Sequence, residues 1–203
     1  MSPHLLTASL LLFAYLLGSA SGSLLLGRLR GIDIRKTAGT ATITNVAGAL
    51  FDIQGDLAMT DTSDNNSGAL TLSLVNQAGG EIRRSAGTGT VVLGGRAGPN
   101  PDDDLYVNLQ NNGTFNVATG VVQANQFGTT TANGGSFVVA SGAVFDVVSG
   151  SHTFGNMTSS GAGAFRVSGG TVGVSAGASA NLSNLAFNGG TVVGPGEVLI
   201  TGN

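Results

Sequence analysis

The amino-acid sequence predicts an all-β fold: a right-handed parallel β-helix, or solenoid, of about six or seven coils, preceded by one N-terminal hydrophobic helix. Three observations predict it. First, a short phrase recurs as Gly113-Thr114-Phe115-Asn116-Val117, Gly135-Ser136-Phe137-Val138-Val139 and Gly163-Ala164-Phe165-Arg166-Val167. Each copy is followed within three residues by a second glycine and a second apolar step, as in Gly120-Val121-Val122, Gly142-Ala143-Val144 and Gly170-Thr171-Val172. The leading glycines are 22 and then 28 residues apart, and a period between about 20 and 50 residues marks stacked repeats. Second, apolar and polar residues alternate over short runs after residue 40, the period of half-buried strands. Third, glycine supplies 34 of 203 residues, and charged residues only 9% against a usual share of about 25%. With 41% hydrophobic residues there is apolar surface to bury, so the glycines signal turns rather than disorder.

The chain opens on a membrane segment. Residues 5–26 carry no charge, and 22 residues at 1.5 Å each span roughly 33 Å, close to the ~30 Å of bilayer hydrocarbon. Arg28, Arg30, Arg35 and Lys36 come next against Asp33, a balance of +3, and the positive-inside rule then holds the body of the chain in the cytoplasm. A cleaved signal peptide, with its apolar region at residues 5–17 and a cut near Ala20, is the competing reading and places the body outside. Residues 1–36 are therefore expected to be an anchor or signal-like segment with a basic flank, and the protein membrane-associated, or secreted or at the cell surface if the segment acts as a signal. The remaining residues hold four arginines against ten carboxylates, a balance of −6, which disfavours nucleic acid as a partner. The absence of cysteine excludes disulfides and thiolate metal sites.

The run Ala14-Tyr15-Leu16-Leu17-Gly18-Ser19, followed by Leu24-Leu25-Leu26-Gly27-Arg28-Leu29-Arg30-Gly31-Ile32-Asp33-Ile34-Arg35-Lys36, resembles the first membrane helix and first cytoplasmic motif of the bacterial acyl-phosphate:glycerol-3-phosphate acyltransferases. In that family the motif continues as a glycine-rich loop. Here Thr37-Ala38-Gly39-Thr40-Ala41-Thr42-Ile43-Thr44-Asn45 keeps only its terminal Thr-Asn. The resemblance covers about 45 residues and implies acyl transfer, with Asp33, Arg35, Lys36 and Asn45 as substrate-binding residues at a phosphate. No apolar run after Leu26 has the length of a further membrane helix, which the family requires, so a truncated remnant fused to β-repeats is the form this alternative takes.

From Ala41 the sequence changes character. Ala41-Thr42-Ile43-Thr44, Phe51-Asp52-Ile53, Leu70-Thr71-Leu72-Ser73-Leu74 and Val91-Val92-Leu93 read as short strands separated by Gly, Asn, Asp and Ser. A β-sandwich requires longer strands and larger aromatic cores, whereas a solenoid needs three-to-five-residue strands whose inward side chains stack layer upon layer. The phrases suggest two such columns, Phe115/Phe137/Phe165 and Val117/Val139/Val167. Residues 37–203 are thus expected to form the repeat domain, with roughly 20 to 28 residues per coil. These repeats resemble those of autotransporter passengers and haemagglutinin-type adhesins of bacterial surfaces. That resemblance implies a secreted or surface stalk, adhesin or spacer without catalysis, with surface glycans as a partner class; with no cap visible before Asn203, a piece of a longer array and association through open coil ends are also expected.

Candidate chemistry is sparse, and no cofactor, catalytic residue or metal ligand is expected. His152 beside Ser151 and near Asp146 could suggest a nucleophilic triad, but a turn histidine is the simpler reading. Asp102-Asp103-Asp104 and the run from Asp61 to Gly68 lack the spacing and bidentate glutamate of a calcium loop. Arg83 and Arg84 could neutralise an anionic glycan, yet neighbours on a strand face opposite ways. A carbohydrate-active β-helix is the remaining alternative; the polysaccharide lyases of that fold group carboxylates with lysine and arginine, and residues 37–203 contain no lysine.

Overall fold

The computed structural model describes residues 40–61, 70–96, 104–125, 129–132 and 134–202, all within the unit Arg35–Asn203. The apolar segment 5–26 and its basic flank lie outside the described residues. Among the described residues there is no helix; the structure is strand and turn. Twenty strands succeed one another. They are β1 (Thr40–Asn45), β2 (Leu50–Ile53), β3 (Leu57–Asp61), β4 (Leu70–Asn76), β5 (Glu81–Arg84), β6 (Thr90–Arg96) and β7 (Asp104–Asn111). Next come β8 (Thr114–Val117), β9 (Val121–Ala124), β10 (Thr129–Ala132), β11 (Ser136–Val139), β12 (Val144–Val147), β13 (Ser151–Phe154) and β14 (Met157–Ser160). The last are β15 (Ala164–Val167), β16 (Thr171–Val174), β17 (Ser179–Ser183), β18 (Leu185–Phe187), β19 (Thr191–Val193) and β20 (Glu197–Thr201).

Every strand pairs in parallel with the strand three places along, which sorts them into three ranks. Rank one runs β1-β4-β7-β10-β13-β16-β19, rank two β2-β5-β8-β11-β14-β17-β20, and rank three β3-β6-β9-β12-β15-β18. The curled, largely parallel sheets are compatible with a β-helix or solenoid. Among the described residues the one antiparallel contact joins ranks one and three, where Gly95 meets Leu105 and Arg96 meets Asp104. The chain bends into it through Gly94 and Gly95, whose φ values of +84° and +143° suit residues without a Cβ.

Along rank one the step between paired residues is 31 from Thr40 to Thr71 and 35 from Leu70 to Leu105. It then contracts to 21 from Asn108 to Thr129, 22 from there to Ser151, and 20 from Ser151 to Thr171 and from Thr171 to Thr191. The 28-residue interval read from the sequence is therefore not a layer. The Gly113 and Gly135 phrases open β8 and β11 in rank two, but the Gly163 phrase opens β15 in rank three.

The expected column Phe115/Phe137/Phe165 is corrected accordingly. Phe137 lies beside Phe115 in rank two, while Phe165 lies beside Phe145 in rank three. Val167 likewise stacks on Val147, apart from the Val117/Val139 pair. The physical reason is that strands of all three ranks carry the same alternation of buried and half-buried positions, so the phrase fits any rank. Phe165 still meets Phe137 across the interior, with ring centroids 5.6 Å apart and edge to face. Phe145 touches both, at 4.7 Å from Phe137 and 5.3 Å from Phe165, and Phe154 of rank one closes on Phe165 at 5.9 Å. Five fully buried phenylalanines from three ranks thus fill one core, each pair adding about 0.5–1.5 kcal/mol to the burial itself.

Phe137→Ala is expected to lower stability by about 3–5 kcal/mol, since the cavity it leaves is walled by three other rings. Urea titration followed by circular dichroism reads that loss; a change below about 1 kcal/mol would contradict the shared aromatic core.

Candidate functional site

The last residues of β1, β4 and β7 are Asn45, Asn76 and Asn111, which stand in register and are buried. Asn45 donates from Nδ2 to Asn76 Oδ1 at 2.8 Å, and Asn76 donates in turn to Asn111 Oδ1 at 2.7 Å. The second Nδ2 protons go to backbone carbonyls one layer on: Asn45 to Glu81 O, Asn76 to Thr114 O, and Asn111 to Ser136 O, each at 3.0 Å. Glycine has to face this ladder. A Cβ on Gly113 would come within 2.3 Å of Gly80 O and 2.8 Å of Asn76 Nδ2, and one on Gly135 within 2.2 Å of Asn111 O. Asn45, the one substrate-binding candidate among the described residues, therefore has its amide occupied inside the stack. Asp33, Arg35 and Lys36 lie outside the described residues.

Arg84 is the second internal polar device. It takes the inward position between Ile53 and Val117, and its side chain is fully buried. Its guanidinium donates to Gly55 O at 2.6 Å, Thr119 O at 3.0 Å and Gly89 O at 3.3 Å, and forms an ion pair with Asp56. Asp56 also accepts from the Gly89 backbone N–H at 3.1 Å. One arginine so ties together the corners between ranks two and three of three successive layers. Arg83 points outward, as strand alternation requires, and makes a two-pronged pair with Glu81 at 2.9 Å. That bond to Arg83 is the main reason the Glu81 carboxyl is held below its usual range. No joint arginine clamp exists, so these two residues do not form an anion site.

The triad reading also dissolves in the structure. Ser151 is outward and exposed on β13, and His152 is inward and buried on the same strand. Asp146 sits on rank three, where its oxygens accept from Arg166 Nη2 and Ser168 Oγ, each at 2.7 Å. His152 is thus a strand residue, not the turn residue expected. It stands between Thr130 and Val172 in an otherwise largely apolar column, with Nε2 donating to Ser149 O at 2.8 Å and Nδ1 unpartnered. Burial pushes its pKa down, and the Ser149 bond only partly offsets this. Asp102, Asp103 and residues 62–68 lie outside the described residues, and no cluster of metal-ligating side chains occurs among the described ones.

The outward surface of the structure carries a rank of hydroxyls. Thr42, Ser73, Asn108, Ser151, Thr171 and Thr191 share one register row of rank one, in which β10 contributes position 129. Two residues along each strand runs a second row: Thr44, Val75, Gln110, Thr131, Thr153, Gly173 and Val193. Neither row contains a charged residue. Strand spacing sets the rows' repeat at about 4.8 Å, and alternate residues place the two rows about 6.6 Å apart. β-Branched threonine is stiff at χ1, so hydroxyls on such a face are largely pre-ordered. The alternation Thr42-Ile43-Thr44 is visible in the sequence, but the rows emerge only from the strand pairing. No family model, curated protein or solved structure matches the chain.

Asn76→Leu removes two donors and one acceptor from the buried ladder and is expected to cost about 2–4 kcal/mol, read by denaturant titration. His152 gives a pH dependence of known sign. The unfolded chain takes up a proton near the ordinary pKa of about 6.5, and the folded chain resists it, so stability falls as pH drops below that value. His152→Val is expected to flatten this slope; melting the wild type and the variant at pH 7.5 and pH 5 provides the check.

Proposed function

We propose that this chain is a right-handed parallel β-helix segment serving a structural or adhesive role on a bacterial surface or in a secreted protein, without catalysis. A coil then takes one strand from each rank, giving six complete coils and two strands of a seventh. Right-handedness accords with the general preference of parallel crossover connections. The observation that carries the adhesive part is the uncharged double row on rank one. An uncharged face whose first row is hydroxyl and amide and whose second row mixes these with Val75, Gly173 and Val193 suits a neutral polyhydroxylated partner such as a surface glycan, and it offers little to an ionic one. Residues 5–26 would supply membrane attachment or export.

The polar groups that chemistry would need support the non-catalytic side of this reading. Arg84, Asp56, Asn45 and Asn76 are engaged with backbone or with each other, and Asp146 is held by Arg166 and Ser168. They act as fasteners between layers.

Screening the full chain against an array of neutral glycans tests the proposal. Thr153→Arg, on the exposed second row, is expected to weaken capture at least tenfold, whereas Thr158→Arg on exposed rank two should leave it unchanged. Equal loss in both variants, or capture only of charged glycans, would refute the assignment of this face.

A further inference from the structure

We infer that the outward face of β7 is the sugar-reading site of rank one. Tyr106 is its stacking platform, and Asn108 and Gln110 fix the hydroxyls of a neutral pyranose chain laid along the strand. The inference rests on the adhesive reading of rank one proposed above and goes further by naming where on that face the partner is read.

β7 is the third strand of rank one and runs for eight residues. It lies between β4 and β10, so its outward side is a lateral surface of the stack. Alternation turns Leu105, Val107, Leu109 and Asn111 inward, where all four are buried, and Tyr106, Asn108 and Gln110 outward. Tyr106 and Asn108 are half-buried and Gln110 is exposed. Asp104, next on the same alternation, is buried opposite Arg96 in the antiparallel contact.

Side-chain size singles this strand out. On β4 the positions beside Tyr106, Asn108 and Gln110 hold Thr71, Ser73 and Val75, and on β10 Thr131 lies beside Gln110. Elsewhere in the two uncharged rows no residue is larger than threonine or valine. Three long or planar side chains therefore follow one another on a single strand amid short ones.

The ring is the telling member. Every phenylalanine among the described residues belongs to an inward column, and Tyr106 is the one aromatic among them that faces outward. An aromatic face is apolar and weakly negative, which complements the C–H face of a pyranose, and the phenol adds a polar tip. Each amide carries two donors and an acceptor with two lone pairs, so Asn108 and Gln110 have capacity for sugar hydroxyls beyond any bond made within the protein. Successive outward positions are about 6.6 Å apart, so Tyr106 to Gln110 spans about 13 Å. That reach exceeds one sugar ring and favours an oligosaccharide over a monosaccharide.

Isothermal titration calorimetry of the full chain in mild detergent tests the site. The probe is cellotetraose, a neutral chain whose ring hydroxyls are all equatorial and leave C–H on both faces. It is expected to bind, with glucose at least tenfold weaker. Tyr106→Thr gives β7 the residue that the same row carries at Thr71 and should weaken binding at least tenfold, as loss of a central aromatic anchor does. Tyr106→Phe keeps the ring and should stay within about threefold of the wild type. Tyrosine is also a good strand former, so urea midpoints are read on the same samples. A Tyr106→Thr variant that loses stability but binds cellotetraose as the wild type does would show that the ring serves only the strand, and would overturn the inference. Absence of cellotetraose binding by the wild type would overturn it too. If the neutral-glycan array then still shows capture that Thr153→Arg weakens, rank one holds glycans without reading them at β7 and the broader proposal stands. Absence of any capture sinks both.

Discussion

The parallel hydrogen-bond ladder between each strand and the strand three places later is the constraint on which the rest depends. It fixes each paired residue beside a counterpart 18 to 35 positions away, so each inward side chain rests on an inward side chain of the next layer. Strands of three to eight residues are too short to hold register alone. Register comes instead from columns that fit, since a slip of one residue would turn the whole apolar set outward.

Different stretches of the stack secure that register by different chemistry. In the first layers, where the steps of 31 and 35 residues leave long connections, the fasteners are polar: the Asn45-Asn76-Asn111 ladder at one corner and Arg84 with Asp56 at another. Both donate to backbone carbonyls of neighbouring layers, and their hydrogen bonds are directional enough to admit one register. In the middle layers, where the steps contract to 20–22 residues, five phenylalanines take over and the restraint becomes one of shape. The Thr130 and His152 pair interrupts the apolar filling of rank one, which leaves the stack more secure at neutral than at acidic pH.

With the interior committed to holding layers together, the outward faces are what the proposed adhesive role draws on. Rank two mixes charge into its early layers through Asp52, Glu81 and Arg83, whereas the two outward rows of rank one stay uncharged from Thr42 to Thr191. A repeated outward surface of this kind suits the proposed hold on an extended partner.

Local sequence is enough for the strands: alternation, β-branched residues and glycine-marked turns make the described residues a series of short half-buried segments, and adjacency on a strand sends Arg83 and Arg84 opposite ways. Its repeat Asn45-Val46-Ala47-Gly48 and Asn76-Gln77-Ala78-Gly79 also marked, unrecognised, the ladder that occupies Asn45. Only the tertiary structure decided which strands share a rank. That choice put Phe165 on Phe145, gave Arg84 its carbonyls, and aligned the uncharged outward rows of rank one. The reason is physical: the burial pattern of a strand is the same in every rank, so local sequence cannot name the neighbour. The neighbour is set by connection lengths and by how well whole columns of side chains fit.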